Sequence, residues 1–233
     1  MKLSIIIPVY NEKRTISRII EKVKNIPIEK EIIIVDDGST DGSRKIIEKY
    51  KDEEDIKIVL KEKNEGKGSA IREGMKYVSG DIVIIQDADM EYEPMNILKM
   101  VKVMEKNRNI YALYGSRFLN KKNKFIFVSF LANRFITFLI NILYLKKLTD
   151  IETCYKMIKS DIFCNLPLKT NGFEIEVEIT INLLKRNIKI VEYPIDYTAR
   201  RTFQGKKIKW KDGITTLFYI LKSRFDLRKN EEK

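Results

Sequence analysis

Five short runs of largely apolar residues, rich in β-branched side chains, alternate with stretches of helical periodicity through the first half of the chain. Few folds can absorb that pattern. The runs cover 3–9, 31–35, 56–60, 81–85 and 111–115, and the helical patterns lie at 13–24, 41–51, 67–78 and 94–106. A strand that is apolar on both sides must be covered on both sides, and a helix after each strand supplies the cover. The expected fold is therefore α/β, with a doubly wound, mostly parallel sheet. In such sheets ligands sit beyond the carboxyl ends of the strands.

Those ends are where the chemistry-bearing residues fall. Strand one runs into "PVYNE", strand two into "VDDGSTDGS", strand four into "QDADMEY" and strand five into "GSR". Asp36, Asp37, Asp87 and Asp89 are thereby gathered on one edge. In the second segment Gly38 permits a tight turn, and Ser39, Thr40 or Asp41 can cap the next helix. Capping leaves Asp36 and Asp37 unexplained, and carboxylates there can accept hydrogen bonds from a nucleobase or a ribose. In "NEGKGSAIREG", Lys67 either reaches a diphosphate or simply opens a helix. The segment is not a P-loop, because Lys61 stands where the first glycine is required. In the "DAD" of strand four, Asp87 and Asp89 can share a hard cation, Mg²⁺ or Mn²⁺, or can form a solvated acidic turn. Glu91 and Glu93 crowd the same tip, so something must offset the repulsion.

Composition narrows the chemistry. The 233 residues include no histidine and carry a formal net charge of +12. Imidazole is excluded as base or ligand, so Ser-His-Asp, Cys-His and His-zinc schemes are out, and carboxylates carry any acid, base or metal role. The basic excess implies an anionic partner: nucleic acid, a membrane surface or phosphates. Cys154 and Cys164 make neither a disulfide framework nor a zinc set and are read as reduced thiols. Pro8 interrupts the first apolar run and charges follow at once, so the run reads as a strand rather than a leader.

Taken in order, "SIIIPVYNE", "VDDGSTDGS", "NEGKGSAIREG", "DIVIIQDADMEYEP" and "GSR" resemble glycosyltransferase family 2, in its dolichyl-phosphate mannose synthase-like, polyprenyl-phosphate branch. The resemblance is dense to about residue 118. It continues more thinly through "VSFLANRF", "TDIETCYKM", "NGFEIEVEI" and "YPIDYTARRTFQGKKIKWKDG". It implies a GT-A fold, a UDP- or GDP-linked sugar donor, Mg²⁺ or Mn²⁺, and inversion at the anomeric carbon. Mapped onto this chain it puts Pro8, Tyr10, Glu12, Asp36 and Asp37 on the nucleoside, with Gln86 just before the acidic pair. Asp87 meets the ribose or the metal, and Asp89 the metal and diphosphate. Arg117 holds a phosphate. Asp150, Thr153 and Lys156 fit the family pattern, with Cys154 where glycine is usual. Asn133, Phe173, Glu174 and Glu176 fall on the acceptor side, and Arg200, Arg201, Lys206 and Lys207 supply a basic loop.

The apolar stretch 125–145 approaches the ~20 residues that span a bilayer. However, Ser129, Asn133, Thr137 and Asn141 recur every four residues beside Arg134. The expectation is an amphipathic helix lying in the membrane interface, polar stripe toward the site, with Phe130, Phe138 and Leu139 toward lipid; an ordinary core helix is the alternative. A final helix from Trp210 to Phe225 is expected to add a second surface anchor.

Residues 1–120 are thus expected to form the nucleotide-sugar-binding core. Residues 121–233 are expected to form acceptor-side and membrane-interface elements of the same catalytic domain. The expected activity is transfer of a sugar to a polyprenyl phosphate by a peripheral protein on the inner, cytoplasmic face of an anionic membrane. Transfer to a hydroxyl acceptor is the alternative, and needs a carboxylate base, for which Asp150 and Glu174 are candidates. A non-catalytic nucleic-acid module is the other rival. No aromatic-plus-basic stacking platform supports it, so nucleic acid is not an expected partner.

Overall fold

The structure, a computed structural model, describes residues 1–200 and 210–231. The first half follows the alternation read from sequence: β1 (Leu3–Val9), α1 (Ile16–Lys24), β2 (Lys30–Asp36), α2 (Ser43–Ile47), β3 (Ile56–Leu60), α3 (Lys67–Met75), β4 (Ile82–Ile85), α4 (Met95–Lys106) and β5 (Ala112–Ser116). The helix expected over 41–51 is shorter, and a 3₁₀ turn, Glu48–Tyr50, takes over its end. The second half adds α5 (Phe127–Tyr144), β6 (Lys156–Lys159), α6 (Ser160–Phe163), α7 (Ile175–Lys185), β7 (Ile190–Pro194) and α8 (Trp210–Glu231).

The seven strands form one sheet in the order β3-β2-β1-β4-β6-β5-β7. β6 is antiparallel to both β4 and β5, and the other pairs are parallel. Successive residues of each strand feed opposite faces. Ile5, Ile7, Ile32 and Ile34 pack under α1 and α4, and Ile6, Ile33 and Val35 pack under α3 and α7. Each fully buried isoleucine contributes about 2 kcal/mol of apolar transfer, which is why the strands read as continuous apolar runs rather than alternating ones.

A third, smaller cluster joins α5, α7 and α8 through Ile136, Ile140, Val177, Ile181 and Ile220. α5 is the one described helix long and apolar enough to cross a membrane, but only a narrow side of it is buried. Its polar stripe faces the protein. Asn141 exchanges two hydrogen bonds with the backbone of Leu148, at 2.9 and 2.8 Å, and Thr137 accepts from the Ile151 amide at 3.5 Å. Phe127, Leu131, Phe135, Phe138 and Ile142 form the opposite stripe and are 50–72% exposed. Ile214, Phe218 and Leu221 make a matching exposed stripe on α8. Two residues expected to face outward do not: Phe130 stacks inward on Phe118 and Phe125, and Leu139 packs against the α5–α7–α8 cluster. Phe130 lies on the side of the helix that carries the polar anchors, whereas Leu139 flanks the exposed stripe where the helix meets its neighbours.

Candidate active site

The carboxyl edge of the sheet brings the tips of β1, β2 and β4 together, as the parallel registers require. The acidic residues gathered there are treated very differently.

At the tip of β2, Asp36 is fully buried and takes Nε and Nη2 of Arg44 at 2.9 and 2.7 Å. Arg44 also donates to the carbonyl of Lys61. Asp37 accepts from Lys61 at 2.6 Å and from the amides of Glu65 and Gly66, the latter at 2.7 Å. Both aspartates therefore tie β2 to the chain that follows β3. That loop is clamped further on. Gly66 has φ 104, and a Cβ on it or on Gly68 would collide with backbone carbonyls of Asn171 and Thr170. Those carbonyls approach so closely because the Gly68 amide donates to Asn171 at 2.7 Å and Arg72 reaches Thr170. The glycines of "NEGKGS" thus form a packing seam between α3 and the loop before α7.

At the tip of β4, Met90 adopts φ 64, a left-handed conformation uncommon outside glycine. The turn lets Asp89 accept the Glu91 amide at 3.1 Å. Arg200, from the segment after β7, lies across the tip: 3.0 Å from Asp89, 3.1 Å from Glu12 and 3.7 Å from Glu91. That segment is held by Tyr197, whose hydroxyl donates to Glu91 at 2.6 Å. Sequence reading placed Arg200 on the acceptor side. The structure places it against Glu12, Asp89 and Glu91, because β7 ends beside β5 and its continuation bridges back to Tyr92. Arg201, Lys206 and Lys207 lie outside the described residues.

Lys67 pairs with Asp87 at 2.7 Å and with Glu176 at 2.8 Å. Glu93 turns away to Lys22 at 2.6 Å. Among the described residues, the carboxylates of Glu12, Asp87, Asp89 and Glu91 thus face Lys67 and Arg200. Burial, then the charges of Asp87 and Glu91, push the Asp89 carboxyl up to about 7, and Arg200 only partly opposes them. Carboxylate oxygens of this kind suit a hard divalent cation. Among the described residues no cluster of three or more ligating side chains encloses one, so a cation held by Asp87 and Asp89 takes its other oxygens from a ligand and water.

The remaining sequence-derived residues fall as follows. Pro8 and Tyr10 are half-buried at the end of β1. Gln86 is fully buried; its amide donates to the carbonyl of Asp87 at 2.9 Å and its oxygen accepts Tyr155 Oη at 2.6 Å, so it props the tip from beneath. Arg117 is 6% exposed and is gripped by both oxygens of fully buried Asp150, at 2.7 Å each, with Tyr92, Phe118 and Tyr197 rings around it. Asp150, spent on that pair, is not placed to act as a base. Asn133 is half-buried on α5. Glu174, half-buried at the start of α7, accepts the Gly172 amide at 3.1 Å. Cys154, where the family usually has glycine, is buried and reaches the Ile85 carbonyl at 3.7 Å.

Sequence reasoning missed Glu152, although it stands within "DIETCYKM". Burial, then Glu176 and Asp150, push its carboxyl up to about 7 against Lys156 and Arg117. It also missed an unbroken row of ring contacts, Tyr155–Tyr92–Tyr197–Phe125–Phe118–Phe130, with centroids 4.8–5.6 Å apart, which leads from the β4 tip to α5. Aromatic residues far apart in sequence gave no local signal of it.

Comparison with known proteins gives the family and the fold. The chain is 27% identical over 238 residues to a dolichol-phosphate mannosyltransferase of Pyrococcus furiosus, covering 99% of this chain and 65% of that one. It is 37% identical over 129 residues to an undecaprenyl-phosphate 4-deoxy-4-formamido-L-arabinose transferase of Proteus mirabilis, covering 52% of this chain and 38% of that one. The chain therefore spans less than two thirds of the length of both. In fold it resembles glucosyl-3-phosphoglycerate synthase of Mycobacterium tuberculosis, crystallised with Mn²⁺, UDP and glucosyl-3-phosphoglycerate. The TM-score is 0.76 at 18% identity, over 95% of this chain and 79% of that one. The sequence model described as Glycosyl transferase family 2 matches residues 4–166, and the chain belongs to that family.

Proposed function

We propose that this protein transfers a sugar from a nucleoside diphosphate to a polyprenyl phosphate, at the inner face of the cytoplasmic membrane. One observation carries the reading. The acidic β4 tip is joined through the aromatic row to α5, which packs against α8, and the outward stripes of both helices are apolar and exposed. The named relatives that act on dolichol phosphate and undecaprenyl phosphate support the acceptor class.

In this reading Pro8, Tyr10 and Glu12 line the nucleoside side, and Asp37 shapes it by ordering the loop before α3. Asp87 and Asp89 would hold Mg²⁺ or Mn²⁺, which would supply positive charge against the diphosphate. Arg200, which also contacts Glu12 and Glu91, would share Asp89 with that cation. An acceptor phosphate is already ionised, so no strong base is needed. Exposed Arg134, whose guanidinium lies 5.6 Å from the Phe118 ring, offers a cation where the aromatic row meets α5. The exposed stripes of α5 and α8 sit in the lipid interface, gaining roughly 25 cal/mol per Å² of apolar area, and basic side chains add about 1 kcal/mol each on anionic lipid.

The test is transfer of radiolabelled sugar from UDP- and GDP-sugars, with Mn²⁺, to polyprenyl phosphate or to a lipid bearing a free hydroxyl. Transfer to the phosphate supports the proposal. Transfer only to the hydroxyl moves the reading to the alternative acceptor, with Glu152 or Glu174 as base. Vesicle co-sedimentation checks the membrane part: Phe127, Phe135 and Phe138, all changed to Ser, should release the protein from anionic vesicles while donor binding stays intact.

A further inference from the structure

Four charges of alternating sign run inward from the β4 tip. Lys67, the first residue of α3, bridges Asp87 at 2.7 Å and Glu176 at 2.8 Å. The other Glu176 oxygen meets Lys156 at 2.5 Å, and Lys156 also donates to the carbonyl of Thr153. Lys156 is completely buried and Glu176 is 4% exposed. Had Glu176 and Lys156 served the core alone, their pair would close on itself, neutral and complete. Instead Glu176 spends its second oxygen on a cation that belongs to the rim, where Asp87 is 22% exposed.

The root of Lys67 is also fixed. Its neighbours Gly66 and Gly68 are pressed on the loop before α7, and Arg72 donates to Asn171 Oδ1 at 2.5 Å. α3 is therefore fixed to the loop that leads into α7, beside the Lys67–Glu176 contact. A lysine on its own flexible stem would collapse on Asp87 and cancel it. Shared between two carboxylates, the ammonium is held at a bridging point, and neither carboxylate neutralises it alone. Burial works against the charge on Glu176, but Lys156 and Lys67 outweigh it and keep the carboxyl below its ordinary range.

We propose that Glu176 is a positioning residue for the phosphate side of the donor site: it aims Lys67 at the point where a nucleoside diphosphate meets Asp87, with Lys156 as its buried counter-ion. This deepens the donor reading above and rests on it. It also assigns Glu176, which sequence resemblance put on the acceptor side, to the donor side.

The experiment measures calorimetric affinity for UDP and GDP and for the matching nucleoside monophosphates, each with and without Mn²⁺. The variants are Lys67→Met, the charge-neutral pair Glu176→Gln with Lys156→Met, and Glu176→Asp. Circular dichroism melting confirms that each is folded. A cation aimed at a diphosphate predicts that Lys67→Met weakens diphosphate binding about tenfold and monophosphate binding less than about twofold. The pair variant should move the same ratio about fivefold, because Lys67 remains but is no longer aimed. If the pair variant does not fold, Glu176→Asp decides the matter on the same ratio. Equal losses for mono- and diphosphate, or no loss in the pair variant, overturn the proposal. A wild-type protein that binds neither UDP nor GDP overturns the donor reading, and this inference falls with it.

Discussion

The tips of β2 and β4 each present two aspartates at the same edge of the sheet, and they differ in what neutralises them. Asp36 and Asp37 are answered by Arg44, Lys61 and two backbone amides, all within thirty residues of chain. Those partners arrive with the β2–α2–β3–α3 unit itself, so the charges are settled as soon as it folds. Asp87 and Asp89 are answered by Lys67 from α3 and by Arg200, which follows more than a hundred residues later on an irregular segment. The first pair is architecture. The second is balanced, among the described residues, by cations brought from α3 and from the segment after β7.

The sharpest way to break this comparison is Asp89→Asn. It should lower transfer about 10³-fold, about 4 kcal/mol in the barrier, with little change in melting temperature. Loss of the fold in place of activity would make the β4 tip structural too. Next in size, Asp36→Ala should cost about 3 kcal/mol in urea unfolding, because Arg44 is left uncompensated beside the core. Adding Arg44→Leu should recover much of it. An Asp36→Ala protein of normal stability that fails to bind nucleotide would return Asp36 to the donor site.

Glu152 extends the comparison to the floor of the site, where one carboxyl oxygen has no hydrogen-bond partner among the described residues. Its carboxyl is pushed from 4.5 to about 7, chiefly by burial. Between those values the folded state binds more protons than the unfolded state, so stability falls as pH rises through that window. Glu152→Gln should match wild type near the lower end and exceed it by roughly 2 kcal/mol at pH 8. Unfolding curves at both pH values check this; equal curves at pH 8 would mean that the carboxyl is ionised without penalty. The smallest effect is expected for Arg200→Ala. Losing that cation should cost about 1 kcal/mol at pH 8 and less at pH 5, where Asp89 is protonated. Mn²⁺ should raise the melting temperature of the variant more than that of wild type, if cation and guanidinium answer the same carboxylate.

The alternation of apolar runs and helices was sufficient for the first five strands, because each feeds both faces of a buried sheet. β6 and β7 were not anticipated. β6 has only four residues, one of them the buried Lys156, and neither strand stands within a regular strand–helix alternation. The amphipathic rotation of α5 was legible from its four-residue polar stripe. The inward turn of Phe130 and Leu139 was not, since an apolar residue carries no mark of which apolar environment it meets.

Sequence alone therefore determined the first five strands of the sheet, the edge where the acidic residues collect, and the family. These follow from periodicity and from short ordered motifs, which are local properties. Only the tertiary structure decided the role of each charge: that Arg117 is spent on Asp150, that Gln86 props the tip from below, that Arg200 answers Asp89, and that Lys67 is divided between Asp87 and Glu176. The reason is physical. The energy of a charge depends on distance and burial, and the cations that answer the β4 tip are brought to it through space by α3 and by the return of the chain after β7.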